Sequence, residues 1–362
     1  MNVMEVVQSL EKGGRTVRFS DTVEGLRQSG ITVTPVCFSQ PADWVELPGI
    51  VVINRRKGIN WSLVFKLIAL IRQSNIDIIH AHCEFSQLYA GLAGRICGVK
   101  TIGTFHRSDM ARYEPSTVNS LIKLSLSHFV SVSNDRMRLL REKLKVSTNN
   151  SSVVHGGTRI DQPPTLSSIE KQRKRLDIDP SKLMIFSLGH LGEIKGHQFT
   201  LEALAMLLPD HPELVLYIAG DGSPAERKNL EEMASRLNLS KQVNFLGQID
   251  NAPEWMEAAD IFVQPSLEEA FGLVFIEAGA MAKPVVATQV GGIVDIIDNG
   301  KTGILIPPSN AEALANALRE LIASPNLRKQ MGNEGYERVS KKFSLDHMIN
   351  SYIEIFERYA AS

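Results

Sequence analysis

Two glutamates, Glu269 and Glu277, flank a helix start in the run PSLEEAFGLVFIEAGAMAKPVV, and their types and spacing suit them to grip a ligand. A β-branched run at 261–264 ends in Pro265-Ser266, and a helix is predicted to begin near Gly272. Glu269 therefore falls in the loop and Glu277 inside the helix. Eight helical residues span about 12 Å. The two carboxylates cannot share one partner atom, but they can hold the two ends of an extended ligand. Between them, the N–H groups of Phe271, Gly272, Leu273 and Val274 form a helix N-terminus that favours a phosphate. Carboxylates accept hydrogen bonds from sugar hydroxyls, while unpaired N–H groups take charged oxygens. A carboxylate, an anion hole and a second carboxylate match, in that order, a sugar, a diphosphate and a ribose. Helix capping by an acidic first turn explains one glutamate and leaves the other unexplained.

Three further strand exits carry unusual residues. Lys12-Gly13-Gly14-Arg15 follows the first strand, and its side-chain-free pair lets backbone N–H groups approach an anion at a helix start; an ordinary tight turn explains it equally well. Gly103-Thr104-Phe105-His106-Arg107 ends a strand in an imidazole. Ser187-Leu188-Gly189-His190-Leu191-Gly192-Glu193-Ile194-Lys195-Gly196 sets glycines around one lysine, a point charge for phosphate. Val290-Gly291-Gly292 adds another glycine pair before a helix. His80 and His82 share a strand face, but no closely spaced second ligand pair completes a zinc tetrahedron, so a metal site is not expected there. Asp177-Ile178-Asp179, before Pro180, reads as capping or turn chemistry.

These loops need sheets to hold them, and the chain is long enough for two. At roughly 150 residues per domain, 362 residues favour two domains. Hydrophobic residues at 43% and charged residues at 22% are ordinary for a soluble globular protein. Lys plus Arg number 39 against 40 for Asp plus Glu, so no global field points to nucleic acid as partner. Three cysteines, Cys37, Cys83 and Cys97, fit a reducing compartment better than a disulfide framework. MNVMEVVQSL lacks a basic n-region and cleavage site, and no apolar run nears the roughly 20 residues of a membrane span. The expected location is cytoplasmic.

Short β-branched runs alternate with helical periods, as in βα units around parallel sheets. Strands are predicted near 2–8, 31–37, 76–80, 100–104, 129–132 and 152–154, with helices such as Trp61 to Ser74 between them. A second series has strands near 183–188, 214–219, 242–246, 261–264 and 284–288. HGGTRIDQPPTLSS, at 155–168, reads as the linker between two Rossmann-like halves. Leu345, Met348, Ile349, Tyr352, Phe356 and Tyr359 follow helical spacing in a terminal amphipathic helix.

Taken together, the residues resemble family 4 retaining glycosyltransferases of the GT-B fold, whose E-x7-E signature the PSLEEAFGLVFIEAGAMAKPVVAT block matches. The resemblance spans nearly the whole chain: Gly13-Gly14, Asp77-Ile78-Ile79-His80-Ala81-His82, Thr104-Phe105-His106, Val130-Ser131-Val132-Ser133, the glycine and lysine loop, Val243 to Gly247, and the terminal helix. It implies an α/β GT-B protein with two Rossmann-like domains facing a central cleft. The acceptor-binding domain would be 1–160, the nucleotide-sugar-binding domain 161–343, and helix 344–362 would cross back to the first domain.

By the same resemblance, Glu269 meets the donor-sugar hydroxyls, Glu277 the ribose, and Lys195 with the amides of Phe271, Gly272, Leu273 and Val274 the diphosphate. His106 stands near the reacting sugar, making His106, Lys195 and Glu269 the catalytic set. Gly13, Gly14, His190 and Gly247 complete the nucleotide-sugar site. No metal and no cofactor are implied; the nucleotide-diphosphate sugar is the donor substrate, and the acceptor is a glycan or lipid-linked molecule in cell-surface polysaccharide or lipopolysaccharide synthesis. Two positions depart from the family: His190 stands where arginine is usual, and His155-Gly156-Gly157 where Asn-Gly is usual. His190 is expected to contact the diphosphate, most strongly when protonated.

Two other functions fit the fold: a sugar-nucleotide 2-epimerase and a non-catalytic transferase-like binding module. Basic stretches at Arg55-Arg56-Lys57 and Lys171 to Arg175 leave open peripheral contact with the inner face of the plasma membrane.

Overall fold

The computed structural model describes residues 1–11, 13–55, 58, 60–107, 114 and 116–360, so Lys12, Arg56 and Lys57 lie outside the described residues. The chain forms two compact units, Met1–Gly157 with Leu345–Ser362, and Thr158–Ser344.

The first unit holds strands β1 (Asn2–Val7), β2 (Thr32–Cys37), β3 (Val51–Val52), β4 (Ile78–His82), β5 (Lys100–Phe105), β6 (His128–Ser131) and β7 (Ser151–Val153). All pair in parallel, in the order β3-β2-β1-β4-β5-β6-β7. Strands buried on both faces read as apolar runs rather than alternating ones. Met4, Val6, Ile79 and Ala81 pack on one face under the helices Trp61–Gln73 and Glu84–Cys97. Val3, Val7, Ile78 and Ile102 pack on the other, with helices Gly14–Gln28 and Leu345–Ala360. The register sets Glu5 beside His80 and His82 beside Thr104, on this second face.

The second unit repeats the plan with β8 (Leu183–Leu188), β9 (Leu214–Ala219), β10 (Val243–Gly247), β11 (Ile261–Gln264), β12 (Val285–Thr288) and β13 (Gly303–Ile306). Its strands are also parallel, in the order β10-β9-β8-β11-β12-β13. In both sheets the chain runs outward one way and then reverses, the doubly wound pattern. The switch falls between β1 and β4 in the first sheet, and between β8 and β11 in the second.

The structure shifts several sequence-derived boundaries. The strand expected at 76–80 runs from Ile78 to His82, because the Ile76 N–H bonds Ile71 O at the preceding helix end. β3 and β13, of two and four residues, carried too little pattern to be read. The supposed linker 155–168 already contains a helix start: Thr165 and Ser168 form a capping box for the helix Leu166–Arg175. Thr158 bridges Ser344 and its N–H bonds Phe343 O, so the two chain crossings are tied together inside the second unit.

The terminal helix buries Met348, Ile349, Tyr352, Ile355 and Phe356. Its close approach depends on Gly25, where an added Cβ would stand 2.5 Å from Ile349 Cγ1. Among the described residues no helix is long and apolar enough to cross a membrane. Phe356 is fully buried. Phe356→Ala should destabilise the first unit by about 3–5 kcal/mol, read as a lowered urea midpoint for that unit with the second unit's transition unchanged.

Candidate functional site

Ligands of open α/β sheets bind beyond the carboxyl ends of the strands at the switch point. In the second unit that position is occupied by the loops after β8 and β11, and the backbone locks them together. Gln264, the last residue of β11, donates from Nε2 to Lys195 O at 2.6 Å, and the Leu267 N–H bonds Ile194 O at 2.8 Å. Gly196 has φ 74°, and a Cβ there would fall 2.0 Å from Pro265 O, so only glycine permits the approach. His197, fully buried, donates from Nε2 to His190 O at 3.2 Å and turns Nδ1 toward Ser187 Oγ, 3.3 Å away.

This clamp brings Lys195 and Glu269 together: Lys195 Nζ lies 2.5 Å from Glu269 Oε2. The sequence reading assigned them to different parts of one ligand and did not foresee the contact. The Gly292 N–H also bonds Glu269 O, tying in the Val290-Gly291-Gly292 turn. The helix begins at Leu273 with Gly272 as its N-cap, at φ 99°, and no side chain caps it. Its first amides therefore stand open beside the ion pair. Phe271 packs on Phe343, and Glu277 sits one turn into the helix Leu273–Ala280, partly exposed.

Two predicted members stand differently. His190 accepts from the Gly192 N–H through Nδ1, and its Nε2 faces Glu226 Oε2 at 4.0 Å, so the imidazole is engaged with its own loop and its side chain is 57% exposed. Gly247 ends β10, where its carbonyl accepts from the Gly220 N–H. Asp177-Ile178-Asp179 is turn chemistry as read: Asp179 Oδ1 accepts from the Ser181 N–H and hydroxyl. A groove of this unit lined by Arg173, Lys283, Pro284 and Arg328 lies where β11 and β12 begin, away from the ligand-binding ends of the strands.

In the first unit, Gly13, with φ 143°, precedes the helix Gly14–Gln28, whose start is again uncapped by any side chain. His106 follows β5, half-buried. Its Nε2 lies 2.9 Å from His82 Nδ1, and His82 Nε2 lies 2.7 Å from Glu5 Oε2. His80 Nδ1 meets the other oxygen, Glu5 Oε1, at 2.8 Å. Sequence reading missed Glu5, although a lone carboxylate inside the apolar run VMEVV was a legible signal. Burial by itself would raise the Glu5 pKa, but the contacts with His80 and His82 outweigh it and bring it to about 2. Burial, then the nearby His80, lowers His82 to about 4, and burial with His82 and Arg18 beside it puts His106 well below 6.5.

Glu5, His80 and His82 lie close enough to hold a metal ion. Their nitrogen-to-oxygen distances of 2.7 and 2.8 Å are those of hydrogen bonds. Ligands about 2.0–2.1 Å from a tetrahedral zinc stand about 3.3 Å from one another. In this arrangement the three residues are joined by hydrogen bonds.

The description Glycosyl transferases group 1 matches residues 168–338, and Glycosyltransferase Family 4 matches residues 12–162, so the two account for both units. The chain is a GT4-type glycosyltransferase. N-acetyl-alpha-D-glucosaminyl L-malate synthase of Bacillus anthracis is 26% identical over 82% of this chain and 78% of its own. D-inositol 3-phosphate glycosyltransferase of Corynebacterium urealyticum is 29% identical over 96% and 91%. The fold is GT-B: HepE of Anabaena, solved with UDP, aligns with TM-score 0.89 and 21% identity over 99% of this chain and all of its own. Sucrose-phosphate synthase of Thermosynechococcus elongatus aligns with TM-score 0.81 and 23% identity over the whole of both chains.

Besides His106, this glycosyltransferase holds three further histidines neutral inside its fold. His82, His128 and His197 each have a pKa lowered to about 4, chiefly by burial. Unfolding frees them to bind protons near pH 6.5, so their contribution to stability is full above 6.5 and is lost as pH falls toward 4. Glu5 loses its own contribution only below about 4.5. The thermal midpoint should be flat from pH 8 to 6.5 and fall steadily from 6.5 to 4.5; a midpoint at pH 5 equal to that at pH 7 would refute this reading.

Proposed function

We propose that the protein is a retaining glycosyltransferase that moves a hexosyl or N-acetylhexosaminyl group from a UDP-sugar to a glycan or lipid-linked acceptor. The observation that carries this reading is the Lys195–Glu269 pair beside the uncapped helix start at Leu273. A lone ammonium there would be costly without a counter-ion, and Glu269 supplies one. An arriving diphosphate offers Lys195 stronger oxygens, and the amides of Leu273 and Val274 take the remaining charge. Glu269 is then released to accept hydrogen bonds from the sugar, and Glu277, further along the helix, is assigned to the ribose. Structures of HepE with UDP and with UDP-glucose support a uridine donor.

The charge that develops on the departing diphosphate is what the site must stabilise, and lysine with amide dipoles can do this without a divalent ion. His106, at the end of β5, is assigned to the reacting sugar. His190 is assigned to the rim of the diphosphate site in place of the usual arginine. Trp61 and Phe65, 62% and 70% exposed on the helix Trp61–Gln73, support peripheral membrane contact by the first unit. The Lys171 to Arg175 stretch supports it less, because Arg173 pairs with Asp260 and Arg175 with Glu254.

With UDP-sugar and acceptor, Lys195→Ala should lower kcat/KM by about 10²–10³, and Glu269→Gln should lower kcat by a similar factor while UDP still binds. Product NMR should show the donor's anomeric configuration; an inverted product, or an epimerised sugar formed without acceptor, would replace this reading. Activity should persist undiminished in excess EDTA.

A further inference from the structure

We infer that Glu5, acting through His82, fixes His106 as the tautomer that carries its proton on Nε2 and presents a bare Nδ1 to a substrate hydroxyl. The inference uses the reading of His106 as a sugar contact for its consequence, while the tautomer itself follows from buried geometry.

The chain of donors and acceptors admits one assignment. Glu5 is fully buried between two imidazoles, and as an ionised carboxylate it can only accept. His82 must therefore donate from Nε2 to Glu5 Oε2, across 2.7 Å. Burial keeps His82 neutral, so its Nδ1 has no proton and can only accept. The atom facing it at 2.9 Å is His106 Nε2, which must be the donor. The two ring planes differ by 23° with centroids 5.1 Å apart, so the N–H of His106 points along the His82 lone pair rather than into its face. His106 is neutral too, so its other nitrogen, Nδ1, is bare.

A second arm converges on the same carboxylate and holds it in place. His80 donates from Nδ1 to Glu5 Oε1, and its Nε2 lies 2.7 Å from Thr104 Oγ1. Thr104 Oγ1 lies 3.2 Å from the hydroxyl of Tyr352, which accepts from Arg18 at 2.8 Å. Tyr352 is contributed by the terminal helix, so that helix closes the network as well as the apolar core. Arg15 and Arg18, on the helix Gly14–Gln28, are the charged groups that also bear on His106, and both disfavour its protonation. The result is a neutral acceptor at a strand exit, where an imidazolium would only donate. Glu5 is thus a positioning residue that touches no substrate.

The test has a spectroscopic arm and a kinetic one. In protein labelled with 15N-histidine, long-range 1H–15N correlation at pH 7.5 should show His106 protonated on Nε2 and bare on Nδ1. A protonated Nδ1 in the wild-type protein overturns the inference. In the kinetic arm, UDP release from UDP-glucose is followed in Glu5→Gln, His106→Ala and the double variant. Glu5→Gln should lose about tenfold in kcat, and the double variant should be no worse than His106→Ala alone; losses that multiply would mean that Glu5 does not act through His106. Should Glu5→Gln not fold, His82→Asn takes its place in the cycle. If His106→Ala releases UDP at the wild-type rate, the assignment of His106 to the sugar fails, and the spectrum still decides the tautomer.

Discussion

An ionised carboxylate held away from water must be surrounded by donors, and the first unit is arranged to supply them to Glu5. β4 contributes both donors, His80 and His82, and behind them β5 contributes Thr104, bonded to His80, while the helices Gly14–Gln28 and Leu345–Ala360 contribute Arg18 and Tyr352, bonded to each other. Removing one partner would leave a buried charge or a buried N–H unmet, so β1, which carries Glu5, and these four elements are bound by a constraint beyond apolar packing alone. The Gly25 contact with Ile349 serves the same end, since it lets the terminal helix come close enough for Tyr352 to reach Thr104.

The second unit solves a different problem. Its switch point gathers a lysine, a glutamate and an open helix start, and these would be disorganised if the two loops moved independently. Gln264, Gly196 and the Leu267–Ile194 bond make the two strand exits one rigid piece, so the charges stand at fixed positions before any ligand arrives. Preorganisation of this kind lets a few charged groups act strongly on a developing oxyanion.

The sequence disclosed the alternation of strands and helices, the doubly wound halves and the loops that carry Lys195 and Glu269, because these are written in local periodicity and in glycine placement. It also disclosed that His80 and His82 share a face. It did not disclose what they face, since Glu5 is 75 residues away from His80 and is joined to it only by sheet register. The Lys195–Glu269 contact, 74 residues apart, was hidden for the same reason. Short strands such as Val51–Val52 escaped because two residues carry no period, and the helix at Leu166 was masked by a capping box whose Thr and Ser resemble linker composition. Contacts made across the sheet need topology before they can be read.

The first unit is discontinuous: the Thr158–Ser344 segment interrupts it, and Leu345–Ala360 completes it. During synthesis the interrupting unit has its whole chain available first and can close as a unit, whereas the earlier-made sheet waits with one face covered only in part, by the helix Gly14–Gln28, until Leu345–Ala360 emerges. The core begun first is thus the one completed last, and its incompletely covered interval belongs to the half that is made first.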